Sequence, residues 1–245
     1  NKEADVTTGI EYLHEVINPL GHGCYGPGGT PNKPNVCYGG NCWAARWAAR
    51  GMRKCPDCVA FRPHWHPEAL EKVRHWRKPR RIGVQFLGDL FGDWVLSTRI
   101  LGVIETARAC PQHQFLFLSK NPRRMQDFTF PDNAWVGMTA EDQARLVERF
   151  RELRQVRAKH LWLSVEPILG PLDIERWSGA IDWVVIGSQT GPGAIPPKRE
   201  WVEDLVAQCR DTGIPAWVKE NVCRVYPGLH RTRELPTEAF RAIDG

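Results

Sequence analysis

Asp182-Trp-Val-Val-Ile186, closed by Gly187-Ser-Gln189, is a short apolar run that hardly alternates and then stops on polar residues. A run of this kind reads as a strand buried on both faces, the pattern of parallel sheets. Five further runs match it, at residues 82–87, 114–118, 134–138, 160–163 and 214–218. Successive runs start 32, 20, 26, 22 and 32 residues apart. Between them lie helical stretches. Ser97 is placed to cap a helix over 98–109, and Thr139 with Asp142 resembles a capping box for a helix reaching about residue 156. Residues 199–210 carry Trp201, Val202, Leu205 and Val206 on one face, with Gly213 placed to close the helix. Repeated strand–helix units predict an α/β fold with a parallel sheet, either doubly wound or a whole or partial barrel. No linker interrupts the rhythm, so one domain is expected over 1–245.

The chain has 245 residues, 42% apolar and 25% charged, and its 33 Lys and Arg against 28 Asp and Glu give a formal charge of +5. This composition excludes a disordered or collagen-like chain. A chain this long buries roughly 70–75% of its unfolded surface and needs no covalent staple. No apolar run is long enough to span a membrane. Asn1-Lys-Glu-Ala-Asp5 lacks the apolar core of a secretory signal, so a cytoplasmic protein with reduced or metal-bound thiols is expected. The mild positive charge permits a nucleic-acid partner without arguing for one.

Each run ends on residues suited to chemistry: Asp89, Lys120, Glu141, Glu166, Gln189 and Lys219 follow the six in turn. Parallel α/β folds gather the carboxyl ends of their strands on one face and build their sites there. A mouth with charges of both signs suits a zwitterionic ligand better than a bare phosphate. The Gly187–Gly193 stretch lacks the Gly-Lys-Ser/Thr ending of a phosphate loop.

Upstream of the runs, residues 18–42 are dominated by Gly, Pro and Asn and hold Cys24, Cys37 and Cys42. Such a stretch forms no regular element. Three neighbouring thiolates in a reducing compartment point to zinc or an iron–sulfur cluster. A helix follows at Trp43-Ala-Ala-Arg-Trp-Ala-Ala-Arg50, with Gly51 placed as its cap, and Pro67 opens another reaching about residue 77. Between these helices, Cys55, Cys58, His64 and His66 have C-x2-C-x5-H-x-H spacing, a second metal-grade set for zinc or an auxiliary cluster. Cys110, Cys209 and Cys223 are isolated and read as packing residues.

Taken together, several blocks resemble the uncharacterised three-cysteine, radical-SAM-like family common in phages and mobile elements. They are Asn18-Pro-Leu-Gly-His-Gly-Cys24, Cys42-Trp-Ala-Ala-Arg46, Phe61-Arg-Pro-His-Trp-His-Pro-Glu68 and Gly88-Asp-Leu-Phe91. Leu118-Ser-Lys-Asn-Pro-Arg-Arg-Met125, Trp135-Val-Gly-Met-Thr139 and Leu163-Ser-Val-Glu-Pro-Ile-Leu-Gly-Pro-Leu-Asp173 extend the match, as do Trp183-Val-Val-Ile-Gly187 and Gly191-Pro-Gly-Ala194. The resemblance runs from about residue 10 to residue 220. It implies a partial (β/α) barrel holding a [4Fe–4S] cluster on three cysteines, with S-adenosylmethionine (SAM) on the fourth iron. It further implies an electron-donor protein, reductive cleavage of SAM to a 5′-deoxyadenosyl radical, and hydrogen abstraction from a substrate. By analogy with such barrels, Asp89 takes the SAM amino group and Lys120 its carboxylate. Thr139, Glu141 and Glu166 take the ribose hydroxyls, and Gln189 the adenine edge. The gaps between Cys24, Cys37 and Cys42 are twelve and four residues, and Asn41 replaces the usual aromatic. A register of Cys42 with Cys55 and Cys58 is therefore an alternative.

Two other functions compete. A zinc-stabilised nucleic-acid-binding protein would use its eleven Trp, Arg77-Lys-Pro-Arg-Arg81 and Arg123-Arg124 to stack on and neutralise a strand. A metal-assisted hydrolase would need Asp89, Glu141 and Glu166 to converge on a hard cation.

Overall fold

The structure, a computed structural model, describes residues 9–35, 42–50 and 55–244. Its strands are β1 (Glu15–Ile17), β2 (Arg81–Val84), β3 (Gln114–Ser119), β4 (Ala134–Thr139), β5 (His160–Val165), β6 (Trp183–Ile186) and β7 (Ala216–Val218). All neighbours are parallel, and their order in space is their order in the chain. A sheet wound in one direction, with helices in its crossovers, is a partial (β/α) barrel, one of the arrangements the spacing of the runs allows and the one the resemblance implies.

The six apolar runs become β2 to β7. β2 is shorter than its run because Gln85 turns the chain with φ of +58°, ending the strand at Val84. Lack of alternation has a plain cause: both faces are apolar and both are covered. Outward-facing Phe115, Phe117, Val136, Leu163 and Val184 pack in one core with Ile100 and Ile104 of helix Ser97–Ala109, Phe150 of helix Gln143–Leu153 and Leu205 of helix Arg199–Thr212. Inward-facing Leu116, Trp135, Trp162, Trp183 and Val185 form a second core with Tyr12 and Phe240. Gly213 closes its helix in the left-handed conformation, φ +73°, as expected.

Two caps differ from expectation. Ser97 is the first residue of its helix, and Leu96 holds the cap position without a side-chain bond. Thr139 ends β4, and Asp142 itself caps the helix that stops at Leu153, its carboxylate accepting from Arg145 N–H at 2.8 Å. The helix at Trp43–Ala49 is present, while Gly51 lies outside the described residues. The helix after Pro67 runs Glu68–His75.

Three indoles floor the barrel. Trp162 donates its Nε1–H to Phe117 O at 3.1 Å and Trp135 O at 3.2 Å. Gly137 makes this possible, since a Cβ there would stand 2.4 Å from Trp162 Nε1. Trp183 meets Tyr12 edge-on at 5.1 Å, and Phe240 packs against Trp135 at 5.2 Å from the far end. A side chain from the segment before β1 reaches β7 and the residues after it. The Glu11 carboxylate accepts from Glu220 N–H at 3.0 Å and from Trp217 Nε1–H at 3.2 Å. Among the described residues, no helix is long and apolar enough to cross a membrane.

Candidate active site and metal centre

At the carboxyl ends of the strands, above the indole floor, lies a cavity of about 400 Å³. Its lining includes Asp89, Lys120, Thr139, Glu166 and Gln189, together with Cys24 and Cys42. Lys219 also borders it. Cys37 lies outside the described residues. Thus five of the six strand-end residues expected to bind SAM line one cavity with two of the three loop cysteines.

Asp89 is fixed by three donors. Its Oδ1 accepts from Ser119 Oγ–H at 2.7 Å and Phe91 N–H at 3.0 Å, and its Oδ2 from Lys120 N–H at 3.0 Å. Burial still pushes its carboxyl above the ordinary range, against the pull of these bonds and of Lys120. Glu141, the sixth expected residue, stands behind the wall. It is buried and pairs with Lys120 Nζ and with Arg149 Nη1, the latter at 2.9 Å. Burial alone would raise its pKa, but Lys120 and Arg149 outweigh that and hold the carboxyl below its usual value. Two cations share one carboxylate, and of the three residues Lys120 lines the cavity. Across the mouth, Lys219 Nζ donates to Glu166 Oε1. Gln189 accepts from Ile195 N–H at 3.3 Å through its Oε1.

Residues the sequence did not single out shape this mouth. Arg46, on the helix after Cys42, donates to Thr190 O at 2.5 Å and Thr190 Oγ at 3.1 Å, pinning that helix to the loop after β6. Gln85 is fully buried. It donates through Nε2 to Gly21 O at 2.9 Å and accepts from Leu20 N–H at 2.8 Å, gripping the turn before Cys24. Both contacts join residues far apart in the chain, and no local pattern announces them.

Beside that turn, Cys55, Cys58, His64 and His66 converge, their ligand atoms all within 4.8 Å of one another. This set can hold a metal ion, as its spacing suggests. Cys58 is buried and the other three are half-buried. The carboxylates of the hydrolase alternative do not converge in this way. Asp89 is bound by Ser119 and backbone, Glu141 by Lys120 and Arg149, and Glu166 by Lys219. Cys110, Cys209 and Cys223 are buried in the core, and burial pushes the Cys209 thiol up to about 12.

Of the groups offered for nucleic-acid binding, Arg77, Lys78, Arg123 and Trp43 are exposed, while others are engaged within the fold. Trp135, Trp162 and Trp183 are interior, Arg81 is buried and donates to Tyr12 O and Phe240 O, and Arg124 donates to Gly92 O and Val95 O.

The chain belongs to the DUF5131 family, described as a protein of unknown function, whose model matches residues 7–228. No curated protein matches it. Among solved structures it is similar to the chitinase domain of the spore coat protein CotE from Clostridium difficile, at 12% identity and a TM-score of 0.31. That match covers 57% of this chain and 59% of the chitinase-domain chain.

Proposed function

We propose that this chain is a radical SAM-type iron–sulfur enzyme, which reductively cleaves SAM to begin hydrogen abstraction on its substrate. The observation that carries this reading is the shared cavity: Cys24 and Cys42 line it together with Asp89, Lys120, Thr139, Glu166 and Gln189. Its volume of about 400 Å³ falls in the ordinary range for small-molecule sites. The donor set fits a thiolate-held cluster, with Cys24 and Cys42 as ligands and Cys37, between them in sequence, as the third. When bound, the cluster and SAM supply one-electron reductive cleavage, the electron arriving from an electron-donor protein.

The chain's own residues bind, orient and shield. Asp89, its carboxylate aimed by Ser119 and two backbone donors, matches an ammonium. Lys120 matches a carboxylate, because Glu141 holds it in place while Arg149, sharing Glu141, leaves the trio positive. In this reading Glu141 acts through Lys120 and reaches the ribose less directly than Thr139 and Glu166, which take its hydroxyls. Gln189 offers an amide to the adenine edge. The floor of Trp135, Trp162 and Trp183 excludes water from below.

The test is anaerobic purification followed by iron and sulfide analysis. A brown protein with about four irons per chain is expected. Cys42→Ala should abolish its charge-transfer absorbance and Cys110→Ala should retain it. Equal iron in both variants overturns the ligand assignment, and a colourless protein carrying zinc alone favours the nucleic-acid-binding alternative.

A further inference from the structure

We infer that Cys55, Cys58, His64 and His66 bind one structural zinc ion, and that this ion holds in place the turn at 18–24 that delivers Cys24 to the cavity.

The ligand chemistry is set by what the other side of each ring does. His64 Nδ1 lies 2.8 Å from Arg62 O, and a carbonyl only accepts, so Nδ1 carries the proton. His66 Nδ1 lies 2.5 Å from Glu68 Oε1, with the same consequence. In neutral rings both Nε2 lone pairs then face inward. The two nitrogens are 2.6 Å apart, with Cys55 Sγ 3.1 Å from His64 Nε2 and Cys58 Sγ 3.6 Å from each. Two facing lone pairs beside two thiols repel one another unless a shared proton or a cation lies among them, and a metal ion satisfies all four ligand atoms at once. Zn–S and Zn–N bonds of about 2.3 and 2.0–2.1 Å place tetrahedral ligand atoms roughly 3.3–3.8 Å apart. The three sulfur–nitrogen distances of 3.1, 3.6 and 3.6 Å sit near that range, and the nitrogen pair opens to admit the ion.

Imidazoles oriented by a carboxylate and a backbone carbonyl are the usual outer shell of a zinc site. Cys58 Sγ gains a further donor in His22 N–H at 3.4 Å. Two sulfurs and two nitrogens in a tetrahedral set select zinc over hard cations. Four protein ligands leave no open position, so the ion is structural and not catalytic.

The turn before Cys24 is bound to this knuckle along its length. His66 N–H donates to Pro19 O at 2.7 Å, and His64 N–H to Leu20 O at 3.1 Å. Gly21 has φ of +64°, and a Cβ on it would stand 2.5 Å from His64 Cε1 and 3.0 Å from Cys58 Sγ. A Cβ on Gly23 would stand 2.3 Å from Pro63 N. Gly23 then bridges to Gly88, the neighbour of Asp89. The knuckle thus presses on the turn at 19, 20, 21 and 23. Cys24 is the next residue out.

The zinc site stands independently of the iron–sulfur reading; only the use made of Cys24 rests on it. The full chain, purified in air so that no cluster is required, is analysed for zinc and titrated with cobalt(II). Cys24 alkylation by iodoacetamide is followed by peptide mass spectrometry, with buried Cys209 as internal reference. About one zinc per chain and a tetrahedral cobalt spectrum are expected, both lost in Cys55→Ser. Glu68→Ala, which leaves all four ligands, should weaken metal affinity by about 10–100-fold. Chelation should speed Cys24 alkylation about tenfold while Cys209 stays protected. Absence of zinc and of the cobalt spectrum overturns the site. Equal acceleration at Cys24 and Cys209, or none at Cys24, overturns the coupling. Failure of the iron analysis leaves these results untouched, so the two readings fall separately.

Discussion

Lys219 Nζ donates to Glu166 Oε1 across 2.6 Å, tying the ends of β5 and β7 together over the end of β6. The pair is largely shielded, with side-chain exposures of 14% and 28%. It passes Gly187, where a Cβ would stand 2.8 Å from Glu166 Cδ. Removing one partner strands the other beside the cavity. Glu166→Gln should therefore cost about 1–3 kcal/mol, and the double variant Glu166→Gln/Lys219→Met less than the sum of its parts. Urea midpoints at unchanged m-value measure this, and strict additivity would remove the coupling.

Asp89 and Asp93 allow a matched comparison. Asp89 lines the cavity, whereas Asp93 accepts from Asn121 Nδ2 at 3.0 Å on an exposed surface. Leaving one charge of a desolvated pair unmatched costs about 2–5 kcal/mol, roughly 30- to several-thousand-fold in affinity. Calorimetry on cluster-loaded protein should find SAM bound at least about tenfold more weakly by Asp89→Asn and nearly unchanged by Asp93→Asn. Wild-type affinity in both variants would defeat the barrel-mouth reading.

Glu141 gives a pH dependence with a defined sign. Lys120 and Arg149 hold its folded-state pKa below the unfolded value of about 4.3. The unfolded chain therefore takes up the proton first as pH falls. The stability Glu141 contributes is complete above that value and disappears as pH drops through the lower folded one. At neutral pH, Glu141→Gln should cost about 3–5 kcal/mol, because it leaves two partly buried cations sharing no carboxylate. The gap between wild type and variant in thermal unfolding should shrink steadily below pH 4. A gap independent of pH would contradict the assignment.

Gly137→Ala tests the floor. Its new Cβ would meet the Trp162 indole where Nε1–H reaches Phe117 O and Trp135 O. Overpacking of this kind costs about 1–3 kcal/mol. Loss of near-ultraviolet circular dichroism with retained far-ultraviolet signal is expected; an unchanged spectrum would show that the floor yields.

What was legible in the sequence was whatever local chemistry repeats. Strands β2 to β7 showed as apolar runs, and the strand-end residues followed from their positions. β1 did not show, because Glu15-Val-Ile17 is only three residues long and is a strand only through pairing with β2. Its neighbour Asn18 reaches across to accept from Leu87 N–H at 3.0 Å, another contact without a local signal. The Cys and His set showed because metal ligation fixes spacing. Arg46 and Gln85 did not, because their partners lie 144 and 64–65 residues away. Glu141 looked like its five counterparts; only the buried Arg149 behind it, one helix further on, draws it away from the cavity.

The Glu11 contact carries a kinetic meaning. Every strand pairs with its neighbour in sequence, so the sheet grows by short steps. Glu11 reaches residues 206 and 209 positions away, spanning most of the chain. Closing a loop of that length brings its entropic cost late, after the local contacts have formed. A nascent chain that has not yet emerged to Glu220 can assemble β1 to β6 and their helices while the seam between its ends stays open. The mouth therefore takes its final outline only after the chain has emerged past Glu220, and a lesion at Glu11 should slow that closure more than the pairing of β1 to β6.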